Sequence, residues 1–176
     1  YWIDRYEVSM VDTTLFAGGK CNGSGGTQYS MGSKGNYPAG FPLTGNWTTK
    51  VHACSVKGKL PSRHMNWFQA NQACMLAGKS LCTNQQWQGA AIGTPDDAGS
   101  CNLTTTGPVA TGSNAKCVSS WGAYDMVGNL WELVSWWAVT GKTWMTANGQ
   151  YTTPWPAGFG GDETASVNGT ARAGSA

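Results

Sequence analysis

The stretch Gly122-Ala123-Tyr124-Asp125-Met126-Val127-Gly128-Asn129-Leu130-Trp131-Glu132-Leu133-Val134-Ser135-Trp136-Trp137 constrains this chain most strongly. Gly128-Asn129 predicts a tight turn, since Gly has no β-carbon and Asn tolerates left-handed backbone. From Leu130 the alternation predicts a strand, with Trp131 and Leu133 on one face and Leu130, Glu132 and Val134 on the other. Glu132 thus shares a face with two aliphatic side chains. A carboxylate there is costly unless a cation or hydrogen bonds compensate it. Any fold built on this stretch must answer that acid.

The rest of the chain offers few charges to answer it. Charged residues make up 11% of the 176, against roughly 25% in an average soluble protein. There are 25 glycines and 10 tryptophans, which predicts a loop-rich domain with aromatic side chains supplying much of the buried area. The length suits one domain with a real core. The net charge is +2 with the basic residues scattered, so no phosphate-tracking surface forms and nucleic acid is excluded as a partner. No apolar run reaches the roughly 18 residues of a membrane-spanning helix. The opening, Tyr1-Trp2-Ile3-Asp4-Arg5-Tyr6-Glu7-Val8, reads as a strand already under way, as in a piece of something longer.

Six cysteines, Cys21, Cys54, Cys74, Cys82, Cys101 and Cys117, are scattered with no Cys-x-x-Cys pair. Zinc sites usually show such pairs. An even, scattered set in a low-charge chain predicts three disulfides and an oxidising location: extracellular, cell-surface or periplasmic. Pairing of neighbours gives Cys21–Cys54, Cys74–Cys82 and Cys101–Cys117. The alternative is a set of buried free thiols.

Residues 1–10 alternate as a strand with Ile3, Tyr6 and Val8 as its apolar members. Residues 17–50 read as a long ordered loop tied down by Cys21 and Trp47. Asn66 then caps a helix with Gln69 as its capping-box partner, Trp67, Ala70, Cys74 and Ala77 mark its face, and Gly78 ends it. Thr83 and Gln86 repeat the box for a second helix bearing Trp87, Ala90 and Ala91. Residues 93–120 return to loop. An Asn148-Gly149 turn predicts a hairpin over 143–152. Asp96-Asp97 reads as a solvated turn rather than a paired-acid site, and His52 and His64 as surface or turn residues rather than ligands. Asn22, Asn46, Asn102 and Asn168 fit the glycosylation sequon.

Three blocks, Tyr1 to Val8, Pro61 to Trp87 and Tyr124 to Glu132, together resemble the formylglycine-generating-enzyme (sulfatase-modifying factor) domain, a variant of the C-type lectin fold. The resemblance implies a single α+β domain over 1–176, incomplete at both ends, with two helices, a small antiparallel sheet and much structured loop. It also implies a structural calcium ion held by the Asp125 side chain, backbone carbonyls near Gly128 and Leu130, and the Glu132 carboxylate. That would answer the Glu132 misfit, because calcium takes carboxylate and carbonyl oxygens. The alternative is that Asp125 caps a turn while Glu132 pairs with an Arg or with backbone amides.

The same resemblance withholds the chemistry. Oxidase members bind copper through two cysteines near the end of the domain, a place beyond Ala176 that none of the six cysteines fills. Iron-dependent relatives that build sulfoxides draw histidines from an added helical domain. No Gly-x-Ser-x-Gly elbow or Gly-rich phosphate loop appears either. The expected function is therefore a secreted or surface binding or display module, without catalytic residues, for a protein or carbohydrate ligand. The competing readings are a fragment of a formylglycine-generating oxidase and a self-assembling structural or filament subunit.

Overall fold

The computed structural model describes residues 1–31 and 36–135; the expected hairpin over 143–152 lies outside them. Five elements follow in order: β1 (Val8–Val11), β2 (Gln28–Tyr29), β3 (His52–Ser55), α1 (Trp67–Leu76) and α2 (Asn84–Ala91). The strands form an antiparallel sheet ordered β2-β1-β3, in which Met10 faces Tyr29 on one side and Ala53 on the other. The architecture is α+β with two helices, a three-stranded antiparallel sheet and long irregular connections.

Both helices begin where their capping boxes place them. The Asn66 side chain accepts from Gln69 N at 2.8 Å while Gln69 Oε1 accepts from Asn66 N at 3.1 Å. Thr83 and Gln86 repeat the exchange at 3.1 and 2.9 Å. Each box satisfies two backbone donors that a helix start otherwise leaves open. Gly78, at φ +71°, turns the chain out of α1.

The main core joins the sheet to α1: Met10, Val51 and Ala53 pack with Ala70, Ala73 and Cys74, and Phe41 plugs the layer from the long loop. Phe41 stacks on Trp47 at 5.4 Å, and its carbonyl accepts from Gln69 Nε2 at 2.7 Å. The described part of the loop is tied down by aromatics and by the Cys21–Cys54 disulfide. A smaller cluster of Ala90, Ala123 and Met126, with Ile3 and Trp87 against it, seats α2 under the organising stretch.

Several expectations change. The first strand starts only at Val8, and the supposed loop contains β2. No strand forms over residues 130–135. Their backbone groups are taken elsewhere: Leu130 N donates to Glu7 Oε1, Val134 O accepts from Trp67 Nε1, and Ser135 N donates to Cys82 O. His52 is not a surface residue. It lies buried in β3, stacked on Phe16 at 4.3 Å, with Nδ1 3.1 Å from Leu76 O. His64 is exposed in a turn at φ +62°. Asp97 is a turn residue whose carboxylate accepts from Gly99 N.

Two of the three expected disulfides form, Cys21–Cys54 and Cys101–Cys117. Cys74 and Cys82 are free thiols. Cys74 is built into the α1–sheet core, whereas Cys82 sits half-buried in the connection to α2. Burial pushes the Cys74 thiol up to about 11 and raises Cys82 as well, so neither is a ready nucleophile at neutral pH. Iodoacetamide on the unreduced, denatured chain should label two cysteines per molecule. On the native protein Cys82 should react first and Cys74 far more slowly. Equal native rates, or no label after denaturation, would contradict this arrangement.

Candidate functional site

The site is assembled around the Gly128-Asn129 turn. Gly128 has φ +76° and Asn129 φ +59°, the left-handed pair the sequence predicts. The turn is held from two sides. Asn129 Oδ1 accepts from Val109 N at 2.8 Å and from Asn102 Nδ2 at 2.9 Å, while Asn129 N donates to Asn102 O at 2.9 Å. On the other side Asn129 Nδ2 donates to Glu7 Oε2, and Leu130 N donates to Glu7 Oε1 at 3.2 Å. One amide side chain thus locks the 102–109 loop to the chain entering β1. The Cys101–Cys117 disulfide closes the same loop at its base. Asn102 spends both amide hydrogens on Gly107 O and Asn129 Oδ1, so a glycan at this sequon would cost one of these two bonds.

Asp125 lies at the start of the turn segment at φ +58° and is 1% exposed. Its Oδ2 accepts from Thr111 Oγ1 at 2.9 Å and Gly112 N at 2.7 Å, which is the turn-holding role considered for it from sequence. Its Oδ1 is buried with no partner. Glu132 is half-buried, and its Oε2 is likewise buried and unpartnered. The arginine pair considered for Glu132 does not form among the described residues, where the ion pair is Lys79–Asp4 at 2.8 Å. Arg5 is engaged otherwise, against the rings of Tyr6 and Tyr124 and on Gly122 O.

Glu7 is the member that sequence reasoning missed. The signal was available: an acid inside an alternating apolar opening is the same misfit as Glu132. Burial, then repulsion from Glu132 and Asp125, pushes Glu7 up to about 9, against the relief of its bonds to Asn129 and Leu130. Burial followed by repulsion from Asp125 pushes Glu132 up to about 8. Burial also raises Asp125, outweighing its two hydrogen bonds. Three acids therefore share one electrostatic neighbourhood without a cationic partner among the described residues.

The sign of their effect on stability follows from linkage. Glu7 and Glu132 hold protons more tightly when folded than in the unfolded chain, where the value is near 4.5. Their contribution is fully present below that value and is lost as pH rises through about 8 and 9. In chelator, the melting temperature should fall steadily from mildly acidic to mildly alkaline solution. A melting temperature that rises across that window would show the acids to be compensated within the chain.

A cleft of about 410 Å³ opens beside the turn, lined among others by Trp87, Asn102, Thr105, Asn129, Trp131 and Glu132. That volume falls within the roughly 300–1,000 Å³ of small-molecule sites. Asp125 Oδ1 and Glu132 Oε2 are the acceptors left over for a cation. They match the hard-oxygen chemistry of calcium, which completes its shell with backbone carbonyls and water. No cluster of three or more His, Cys, Asp or Glu side chains suited to a metal forms among the described residues. A cation here would therefore need backbone oxygens as well, the role the resemblance assigns to Gly128 and Leu130. No family model, curated protein or solved structure matches this chain. The site must be read from its own chemistry.

Proposed function

We propose that this chain is an extracellular or cell-surface binding module of the C-type-lectin-like, formylglycine-generating-enzyme type, whose ligand cleft is braced by a calcium-pinned turn. The observation that carries this reading is the pair of buried, unpartnered carboxylate oxygens, Asp125 Oδ1 and Glu132 Oε2, flanking a turn that borders the cleft. A buried, unanswered acid is expensive, and a bound cation turns that cost into attraction. Asp125 and Glu132 hold the ion with the Gly128 and Leu130 carbonyls, while Glu7 stays behind the turn and fixes Asn129 and Leu130.

Two disulfides support the oxidising location, in keeping with the general distribution of such bonds. Among the described residues no helix is long and apolar enough to cross a membrane. The oxidase alternative asks for reactive thiols, and both free thiols here are shifted away from reactivity. Isothermal titration with CaCl2 at neutral pH is expected to show one site, lost in Asp125→Asn. Incubation with copper, dioxygen and a cysteine-containing peptide is expected to leave the peptide mass unchanged. Conversion of that cysteine to an aldehyde would overturn the binding-module reading in favour of the oxidase.

A further inference from the structure

The chain carries no Asp or Glu between Asp12 and Asp96, while seven lysines and arginines fall in that interval. The fold then gathers several of them around one strand. Lys50 stands just before β3, and the exposed turn Lys57-Gly58-Lys59 follows it. The Cys21–Cys54 disulfide, with a Cα–Cα distance of 5.5 Å, brings the exposed Lys20 alongside the same strand. β3 lies at the edge of the sheet, so these lysines sit along a rim. A fifth joins them from a distant part of the sequence. Gly58 N donates to Thr111 O and Thr111 N to Lys59 O, both at 2.9 Å, which clips the turn to the 110–117 loop. The exposed Lys116 sits in that loop, next to the disulfide-bonded Cys117. A β-carbon on Gly112 would lie 3.4 Å from Lys57 Cγ, so the Lys57 stem runs across the loop.

None of these five ammonium groups is paired with an acid among the described residues, where the ion pair is Lys79–Asp4. The acids that border the rim are committed elsewhere. Asp12, next to the Val11–His52 pair, turns its carboxylate onto the Thr14, Leu15 and Thr27 amides. Asp125, behind the 111–112 backbone, is buried and accepts from Thr111 and Gly112. Like charges left side by side repel one another, and an anionic partner relieves that repulsion as it docks. Lysine is a point charge on a flexible stem, without the planar fork by which arginine grips a single carboxylate or phosphate. A row of lysines therefore suits a chain that repeats its charge. Single-stranded nucleic acid would ask for aromatic platforms as well, and a bilayer for apolar side chains to insert. No exposed aromatic side chain belongs to residues 50–60 or 110–117, and the one large apolar side chain exposed there is Leu60. From this unpaired lysine row we infer that the rim of β3 docks an acidic polypeptide segment, rich in Asp and Glu. The surface is separate from the cleft and needs no cation.

The test is fluorescence anisotropy of fluorescein-labelled poly-L-glutamate titrated with the whole chain at neutral pH in chelator. Labelled oligothymidylate and phosphatidylglycerol vesicles are titrated in the same way. Polyglutamate should bind saturably and more tightly than either, and weaken roughly tenfold between about 20 and 150 mM salt as screening tightens. Lys57→Gln with Lys59→Gln, both on exposed side chains, should weaken binding about five- to tenfold with the fold intact by melting. Lys57→Arg with Lys59→Arg should keep it, because the charge is kept. Lys20→Gln, on the other side of the disulfide, should weaken it about two- to threefold. Absence of polyglutamate binding, or binding indifferent to both glutamine variants, would overturn the proposal. Equal or tighter binding of the oligonucleotide or the vesicles would do the same. Because chelator is present throughout, the outcome stands apart from that of the calcium titration.

Discussion

Gly128→Ala is expected to lower stability by about 2–4 kcal/mol and to lose calcium binding with it. Two independent effects add. An L-residue at φ +76° is strained whatever the space around it, by roughly 1–2 kcal/mol. A β-carbon there would also lie 2.6 Å from the Asn102 carbonyl oxygen and 2.7 Å from a Leu103 methyl. The Asn102 carbonyl is backbone, held by Asn129 N and by a loop closed with a disulfide, so it cannot swing aside. Gly78→Ala is the control, because Gly78 has φ +71° but nothing within 4 Å of its would-be β-carbon. It should cost only the conformational strain, about 1 kcal/mol, and leave the cleft intact. Denaturant melts of the two variants read the difference directly. Equal losses would show that the turn does not press on the 102–109 loop.

The proposed cation would carry the other large effect. With Asp125 Oδ1 and Glu132 Oε2 unpartnered, burial raises all three neighbouring acids toward their protonated forms, and mutual repulsion adds to it for Glu7 and Glu132. A divalent ion at the proposed site would favour the deprotonated carboxylates and bind the folded state alone, since the unfolded chain does not hold Asp125 and Glu132 together. At a hundredfold excess over the dissociation constant, such binding stabilises by about 2.7 kcal/mol. In a domain of this size that corresponds to roughly 5–10 °C in melting temperature. Calcium should therefore reverse the decline that chelator reveals at mildly alkaline pH, because ion binding needs the deprotonated carboxylates.

Local chemistry made much of this legible. The two capping boxes, the Gly78 stop and the Gly128-Asn129 turn are rules of a few residues, and each stands where its residues put it. Disulfides were legible where loops close on themselves, as between Cys101 and Cys117. Cys74 obeys helix periodicity instead: its position on the inner face of α1 commits it to the core rather than to Cys82.

The strand expected after Leu130 failed because alternation describes side chains, whereas pairing needs free backbone groups. Here Glu7, Trp67 and Cys82 claim them. Glu7 shows the converse: its misfit was legible in the opening stretch, but its partner was not. Its role depends on a contact with Leu130, 123 residues away in sequence, and no local pattern encodes that distance. The Glu132 misfit alone pointed toward the group of acids around the turn, because an acid among aliphatics is a cost that must be met somewhere in the fold.

The most direct test of the account is a pair of thermal melts of the intact chain at mildly alkaline pH, one in saturating CaCl2 and one in chelator. A rise of roughly 5–10 °C with calcium, absent in Asp125→Asn, is the predicted result. Superimposable melts would contradict it and return Glu7, Asp125 and Glu132 to being an uncompensated acid cluster.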